Sequence, residues 1–407
     1  MTISPFARCR RPTQPLTLIL AVAALLGAGA PAAAASGTIA YEQTDDQGLF
    51  QLWSVPAIGG VATQLTTRAS APDPDACWYG CFAEQPEWSA DGSRLFFATD
   101  WTPNVHIWSM APDGTDKRQI TFSSGWDGFP GVSPDGSTVA FDFTSADESR
   151  TGIGIAPVDG SAPHTLLTTG PKRGNDSHPQ YSPDGAQIAY QRFTRSTCPD
   201  SGCGKRREGG FGGSIWIMNA DGSDQRRITP PGQVWSDPQW SPDGSKLLIQ
   251  TYDEGPTGRA LTSDLYTIRP DGTQLTPITR TRKSDISFTG DWSPDGTRIS
   301  YVHYQAPDDH LEIQTMAADG SDPQTVTECI PLTFCDTPIW GPARTAGARA
   351  VTARAAHAPA ARHSRRFARR VRRALARTPQ AATSYRPQAA GRRPAARGRG
   401  RGADQAR

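Results

Sequence analysis

Several residue types and motifs are scarce or missing in this chain, and each scarcity removes a class of function. Seven histidines are scattered through 407 residues, so no catalytic histidine cluster is visible. No Gly-x-Ser-x-Gly pentapeptide occurs, which removes the nucleophile elbow of an α/β-hydrolase. No Gly-x4-Gly-Lys-Ser/Thr stretch accompanies Gly209-Gly210-Phe211-Gly212-Gly213, so that glycine-rich run is not a phosphate cradle. The longest apolar run, Leu16 to Leu26, falls short of the roughly 20 residues that span a bilayer.

That run follows Arg8, Arg10 and Arg11 and leads into Ala30-Pro31-Ala32-Ala33-Ala34-Ala35. A charged start, short apolar middle and Ala-x-Ala end read as an export signal over residues 1–35. The protein is therefore expected to be periplasmic or extracellular. Cysteine usage agrees. Cys9 leaves with the signal, and the other six form three close pairs: Cys77 with Cys81, Cys198 with Cys203, and Cys329 with Cys335. Local disulfides in an oxidising compartment are the favoured reading. Pairs in three separate loops would hardly converge on one zinc ion.

What is abundant is a repeat. Trp240-Ser241-Pro242-Asp243-Gly244 has counterparts beginning at Trp88, Val132, Tyr181 and Trp292, with a truncated copy at Trp340-Gly341-Pro342. The copies lie 44 to 59 residues apart. Pro86, Pro130, Pro179, Pro238 and Pro338 precede the aromatic position by two, and Gly290 takes that place once. Ser-Pro-Asp-Gly has turn chemistry, because Pro presets φ and Gly tolerates the strained position. Each unit holds four short strand-like runs, A to D, ending in a pair such as Leu65-Thr66 or Ile278-Thr279. Four strands per repeat of this length is the pattern of a propeller blade. The first B strand, Thr38–Tyr41, has no A strand before it, and the last A strand, Pro338–Trp340, has no B strand after it. Pairing the two closes a ring, so the expected fold is an all-β, six-bladed propeller over residues 36–342.

These repeats resemble the TolB-like propeller family, whose repeats also occur in propeller domains of prolyl-oligopeptidase-type peptidases. The resemblance covers about residues 37–342. It implies an envelope scaffold whose propeller holds protein partners. Two departures qualify it: the expected export signal runs straight into the first blade where TolB has a separate α/β domain, and the peptidases' nucleophile elbow does not occur in this sequence.

Chain direction alternates from strand to strand, so A–B and C–D turns share one face and B–C and D–A loops share the other. The first face carries short Asp-Gly turns. All three cysteine pairs and the largest insertion, Thr194 to Gly213, fall on the second, which is the candidate working face. Basic clusters Lys172-Arg173, Lys205-Arg206-Arg207 and Arg280 with Arg282 and Lys283 lie there too. Just before the A strands, near the channel mouth, stand Glu84, Asp127, Asp176, Asp237 and Asp336. A ring of oxygens suits Ca²⁺, the one cofactor the sequence suggests; the plainer alternative is that these residues cap strand ends. His178 is the histidine placed at this mouth. Seven tryptophans obey the repeat (Trp88, Trp240, Trp292 and Trp340 in strand A, Trp53, Trp108 and Trp216 in strand C) and are expected in the core. Trp78, Trp126 and Trp235 break it. Trp126, Asp127, Asp176, His178, Trp235, Asp237, Lys205, Arg206 and Arg207 make up the expected ligand-binding set.

Beyond Pro342 the composition changes. Residues 343–407 hold 18 Arg, no Lys and one acid, whereas residues 36–342 hold 21 bases against 39 acids. The near-neutral total conceals an acidic body and a basic tail, and the tail has too little apolar surface to fold alone. Ser364 to Arg377 places Phe367, Val371 and Leu375 at helical spacing among arginines, a pattern for an anionic surface. An anionic polymer or lipid is its expected partner; an exported protein meets little nucleic acid. For the ring, the favoured expectation is a monomeric, non-enzymatic binder of a protein, peptide or envelope glycan. A carbohydrate-active enzyme at the channel mouth and a regulatory subunit of a separate hydrolase are the alternatives. Binding of the mature chain to a polyanion should fall steeply as salt approaches about 1 M; retention unchanged in that salt would point to a specific folded site.

Overall fold

A computed structural model describes residues 36–77, 79–170, 174–195, 211–254, 261–280, 285–305, 310–330 and 333–343. Residues 1–35, where an export signal is expected, Trp78, Lys172, Arg173, Cys198, Cys203, Lys205, Arg206, Arg207, Arg282, Lys283 and the tail from Arg344 onward lie outside them. The described residues form six four-stranded antiparallel sheets arranged as blades. Five blades take their strands in sequence order. Blade one instead pairs Cys335–Gly341 with Thr38–Thr44, followed by Phe50–Pro56 and Thr63–Gln64. Ring closure therefore joins the two ends of the propeller, as the unmatched A and B strands required.

The Ser-Pro-Asp-Gly turn holds itself together. In blade five, Ser241 Oγ donates to Asp243 Oδ1 at 2.6 Å and accepts from the Lys246 amide at 3.0 Å. Asp243 Oδ1 in turn accepts from the Ser245 amide at 3.0 Å, and Gly244 takes φ +68°. The same bonds recur at Ser89, Ser133, Ser182 and Ser293. The closing Leu-Thr or Ile-Thr pair also has a physical cause. Strand D is only two residues long in five blades. Past its end, the Thr hydroxyl accepts the strand C amide that the ladder would otherwise leave open, as at Leu52 to Thr66 (2.8 Å) and Leu265 to Thr279 (2.9 Å).

The core lies between blades, in six apolar clusters at the six seams. Trp88, Trp240, Trp292 and Trp340 are buried in four of them, and Trp108 is buried with them. The indole N–H of Trp240 donates to the Gln180 carbonyl of the preceding blade at 3.1 Å, and Trp292 does the same to Gln239 at 3.3 Å. Trp53 and Trp216 are half-buried against the same clusters. Trp101, which has no repeat counterpart, is enclosed edge-on between Phe97 and Trp108.

Deleting residues 336–342 should abolish cooperative unfolding, since blade one loses its inner strand; a truncated chain that melts like the parent would refute the closure. Trp240→Ala should cost about 3–5 kcal/mol by cavity formation, measured by urea unfolding.

Candidate functional site

Each inner strand is longer than its Pro-x-Trp signature and carries a bulge. The strands run Ala83–Trp88, Trp126–Val132, Gly174–Tyr181, Val234–Trp240, Asp285–Trp292 and Cys335–Gly341. In every one the ladder to strand B slips just before the repeated Pro or Gly. The residue at that step has positive φ in all six: Gln85 (58°), Phe129 (49°), His178 (54°), Asp237 (51°), Thr289 (33°) and Thr337 (49°). Left-handed backbone in non-glycine residues costs on the order of 1–3 kcal/mol and persists only where surroundings enforce it. Here the enforcement is visible. The bulge frees an amide and, at Gln85, Phe129, His178 and Thr289, turns a side chain toward the next blade.

The resulting contacts run around the mouth without a gap. The Gln85 amide donates to Glu42 Oε2 of blade one at 2.9 Å, and the Phe129 amide donates to Gln85 Oε1 at 2.7 Å. Phe129 lies against the His178 ring with centroids 3.6 Å apart. Ser177 Oγ bridges blades three and four to Asp142 Oδ2 at 2.6 Å. His178 Nε2 reaches Asp237 Oδ1 at 3.0 Å, and Gln250 Nε2 donates to Asp237 Oδ2. The Thr289 amide donates to Gln250 Oε1 at 2.6 Å, and Thr289 Oγ1 donates to Asp336 Oδ1 at 2.6 Å. Thr337 Oγ1 completes the circuit by donating to Glu42 Oε1 at 3.0 Å. Two residues further along each strand the lining comes close to the ring axis: Gln180 Nε2 of blade four lies 3.3 Å from Glu87 Oε2 of blade two, a non-adjacent blade.

Negative charge crowds this belt. Burial, with Asp336 and Glu84 nearby, holds the Glu42 carboxyl well above the usual range. Burial, then Asp100 and Asp142, pushes Glu84 up to about 8. Burial raises Asp336 to about 7 against hydrogen bonds from Thr289 and Thr337, and raises Asp291 to about 7 against the Trp340 and Trp292 amides. Asp237 is the exception. Burial pushes it up, but His178 and the bonds from Ser236 and Gln250 outweigh this and hold it below the usual range.

The expected site set is only partly brought together. His178 and Asp237 pair at the mouth, and half-buried Trp126 stands edge-on to Phe129 with centroids 6.2 Å apart. Trp235 is a correction. It is fully buried, packs edge-on to Tyr266 at 5.3 Å and donates its indole N–H to the Pro230 carbonyl at 3.2 Å. Its strand position sends it into the seam between blades four and five, so it is core. The five carboxylates also part company, because they occupy three successive strand positions that point different ways. Asp176 is fully buried in a bidentate pair with Arg192 at 2.6 and 2.8 Å, and Asp127 is buried with Ser123 Oγ donating to it at 2.8 Å. Glu84 accepts from Gln85 Nε2 at 3.1 Å. Among the described residues no three His, Cys, Asp or Glu side chains gather as ligands of one ion would. The oxygen ring anticipated for Ca²⁺ from Glu84, Asp127, Asp176, Asp237 and Asp336 is therefore not the arrangement observed. Glu42, Gln85, Phe129, Asp142, Gln250 and Thr289 were missed. Their shared signal was the position before the repeated Pro or Gly and the middle of strand B.

Two disulfides fix loops beside the mouth, Cys77–Cys81 and Cys329–Cys335. The first loop is held by buried Asp100, which accepts from the Tyr79 amide at 2.6 Å and the Phe82 amide at 2.9 Å. The second is stitched to blade one, with the Phe334 amide donating to Thr44 Oγ1 at 2.8 Å. The third expected bridge differs from these two. Both Cys198 and Cys203 lie outside the described residues, so their pairing is not among the disulfides observed.

Closure, bulge and blade count define a six-bladed β-propeller. Comparison likens it to the propeller of TolB proteins. TolB from Acinetobacter baumannii superposes with a TM-score of 0.57 at 16% identity, over 76% of this chain and 68% of that one. In sequence, an uncharacterised protein of Agrobacterium fabrum is 29% identical over 151 residues, 36% of this chain and 48% of that protein. A TolB homologue of Chlorobium luteolum is 32% identical over 127 residues, 30% and 23% of the two lengths. The matches thus span about half of the first relative and under a quarter of the second. No family model matches the chain.

A carboxyl raised in the folded state stabilises the fold while protonated, and that contribution is lost as pH rises. For Glu84 the window runs from its ordinary 4.5 to about 8. Glu84→Gln should match the parent near pH 4 and exceed it at pH 9, by about 1–4 kcal/mol given its half-buried position. Urea midpoints at the two pH values check this; a parent advantage at pH 9 would contradict it.

Proposed function

We propose that this protein is a non-enzymatic binding propeller, exported to an oxidising compartment, that holds an envelope protein or peptide across the mouth on its B–C/D–A loop face. The observation that carries this reading is that the polar side chains of the belt spend their hydrogen bonds on one another. A reactive site keeps a nucleophile or an open ligand position for substrate. A recognition surface instead benefits from groups already locked in place, because less freedom is lost on binding. Half-buried Trp126 and Phe129 supply aromatic contact area at the rim, of the kind that anchors interfaces. Disulfide-held loops stand elsewhere around the mouth, and disulfides themselves favour an oxidising compartment. The likeness to Tol-Pal system proteins named TolB agrees with a partner-holding role. Lys205, Arg206 and Arg207 would steer an acidic group at the edge, and the basic tail would meet an anionic polymer or lipid.

The mature chain, used as bait against an envelope fraction, should retain a partner at physiological salt. Trp126→Ala should weaken capture of that partner about tenfold or more while leaving the melting temperature nearly unchanged. Asp271→Asn and Asp319→Asn, on the opposite turn face, should leave capture intact. Loss with the turn-face changes and not with Trp126→Ala would place the interface on the wrong side of the ring.

A further inference from the structure

One oxygen at the mouth is asked to serve two acceptors. Ser177 Oγ lies 2.6 Å from Asp142 Oδ2 and 2.8 Å from His178 Nδ1, while His178 Nε2 lies 3.0 Å from Asp237 Oδ1. These three contacts join blades three, four and five, and each needs a proton between its heavy atoms. A hydroxyl brings one, a neutral imidazole brings one, and ionised carboxylates bring none. Three contacts therefore require one proton more than the groups carry in their ordinary neutral-histidine, ionised-aspartate forms. The extra proton has two places to sit. On Nδ1 it makes an imidazolium, and Ser177 donates to Asp142. On Asp142 it starts a relay in which Asp142 donates to Ser177 and Ser177 donates to Nδ1. Either way Nε2–H remains on Asp237.

We propose that Asp142, Ser177, His178 and Asp237 form a proton-operated clasp, whose three contacts are all made only while it holds this one shared proton. Loss of the proton leaves one of the three contacts with lone pairs facing each other: Asp142–Ser177 across the seam between blades three and four, Ser177–His178 within blade four, or His178–Asp237 across the next seam. The shared proton thus couples the hydrogen bonding at the mouth to pH.

The surroundings favour a proton within the clasp. Asp142 and Asp127 face it from blade three, Asp237 from blade five, and Asp336 and Glu84 from blades one and two. Arg192 of blade four is spent on Asp176, and the neighbouring strand C of blade three, Thr151–Pro157, has no titratable side chain. Asp142 Oδ1 is buried with no hydrogen-bond partner among the described residues, which disfavours the ionised form. Burial raises Asp142 to about 7 against the Ser177 bond and the His178 charge. The clasp is therefore complete below about 7 and gives up one contact as pH rises through it.

The test is a ¹⁵N titration of the histidine rings in the full mature chain, from about pH 5.5 to about 8.5. In the parent, Nε2 of His178 should stay protonated while the Nδ1 signal moves with the titration of Asp142. Asp142→Asn gives Ser177 Oγ a permanent N–H donor, so the Nδ1 signal should stay that of an acceptor and its movement should disappear. Ser177→Ala removes the shared oxygen and should shift the response by about one pH unit or more, a tenfold change in proton affinity. A parent ring that does not respond over this range overturns the clasp. So does a response that both variants leave unchanged.

Discussion

The ring depends on a backbone conformation that five of six blades fix with a proline and one with a glycine. Just before that residue, each inner strand takes a left-handed step, and the step does two things that an ordinary ladder would not. It releases an amide from the sheet and, in five of the six blades, aims the bulge side chain at a neighbouring blade. Gln85, Phe129 and Thr289 use the released amide on a side chain of the preceding blade, while His178, Asp237 and Thr337 use their side chains. The seams are otherwise mainly apolar, with a few further polar links such as Trp240 to Gln180 and the Trp340 amide to Asp291. Apolar packing is non-directional, so the belt is what fixes blade register near the axis.

The same belt accounts for the character of the mouth. Six inner strands converge, and whatever stands at the bulge and in mid strand B is forced close to its counterparts. In this chain those positions are rich in carboxyls, with His178 as their basic partner. Crowding and burial together favour the protonated forms of Glu42, Glu84, Asp142 and Asp336. Asp237, paired with His178, stays ionised. The surface offered to a partner is thus less negative than a count of acids suggests, with aromatic rings and hydrogen-bonded polar groups beside one another. Such a mixture suits recognition better than chemistry.

Blade three shows how closely repeat and site are interleaved. Trp126 sits four residues before Pro130 and stays half-buried at the rim; Trp235 sits three before Pro238 and vanishes into a seam. One residue of offset, in a strand whose side chains alternate, separates a rim aromatic from a core one. The carboxylates misled for the same reason. Glu84, Asp127, Asp176, Asp237 and Asp336 look like one ring in the sequence because all fall within three residues of the repeated Pro. Only when the bulge is located do they resolve into residues that join the belt and residues, such as Asp176 with Arg192, that are locked away from it.

Periodicity alone determined the blade number, the closure of the last strand onto the first, the self-bonded Ser-Pro-Asp-Gly turns and the seam tryptophans. Those features are local or repeat six times, so each copy reinforces the next. Close spacing likewise determined two local disulfides. What only the tertiary structure decided is which polar groups meet, because Asp142, Ser177, His178 and Asp237 belong to three different blades and touch only once the ring has closed. The left-handed residue that brings them together has no signature of its own; Gln, Phe, His, Asp and Thr all occupy it. Its conformation is imposed by the neighbouring blades, and so is the site.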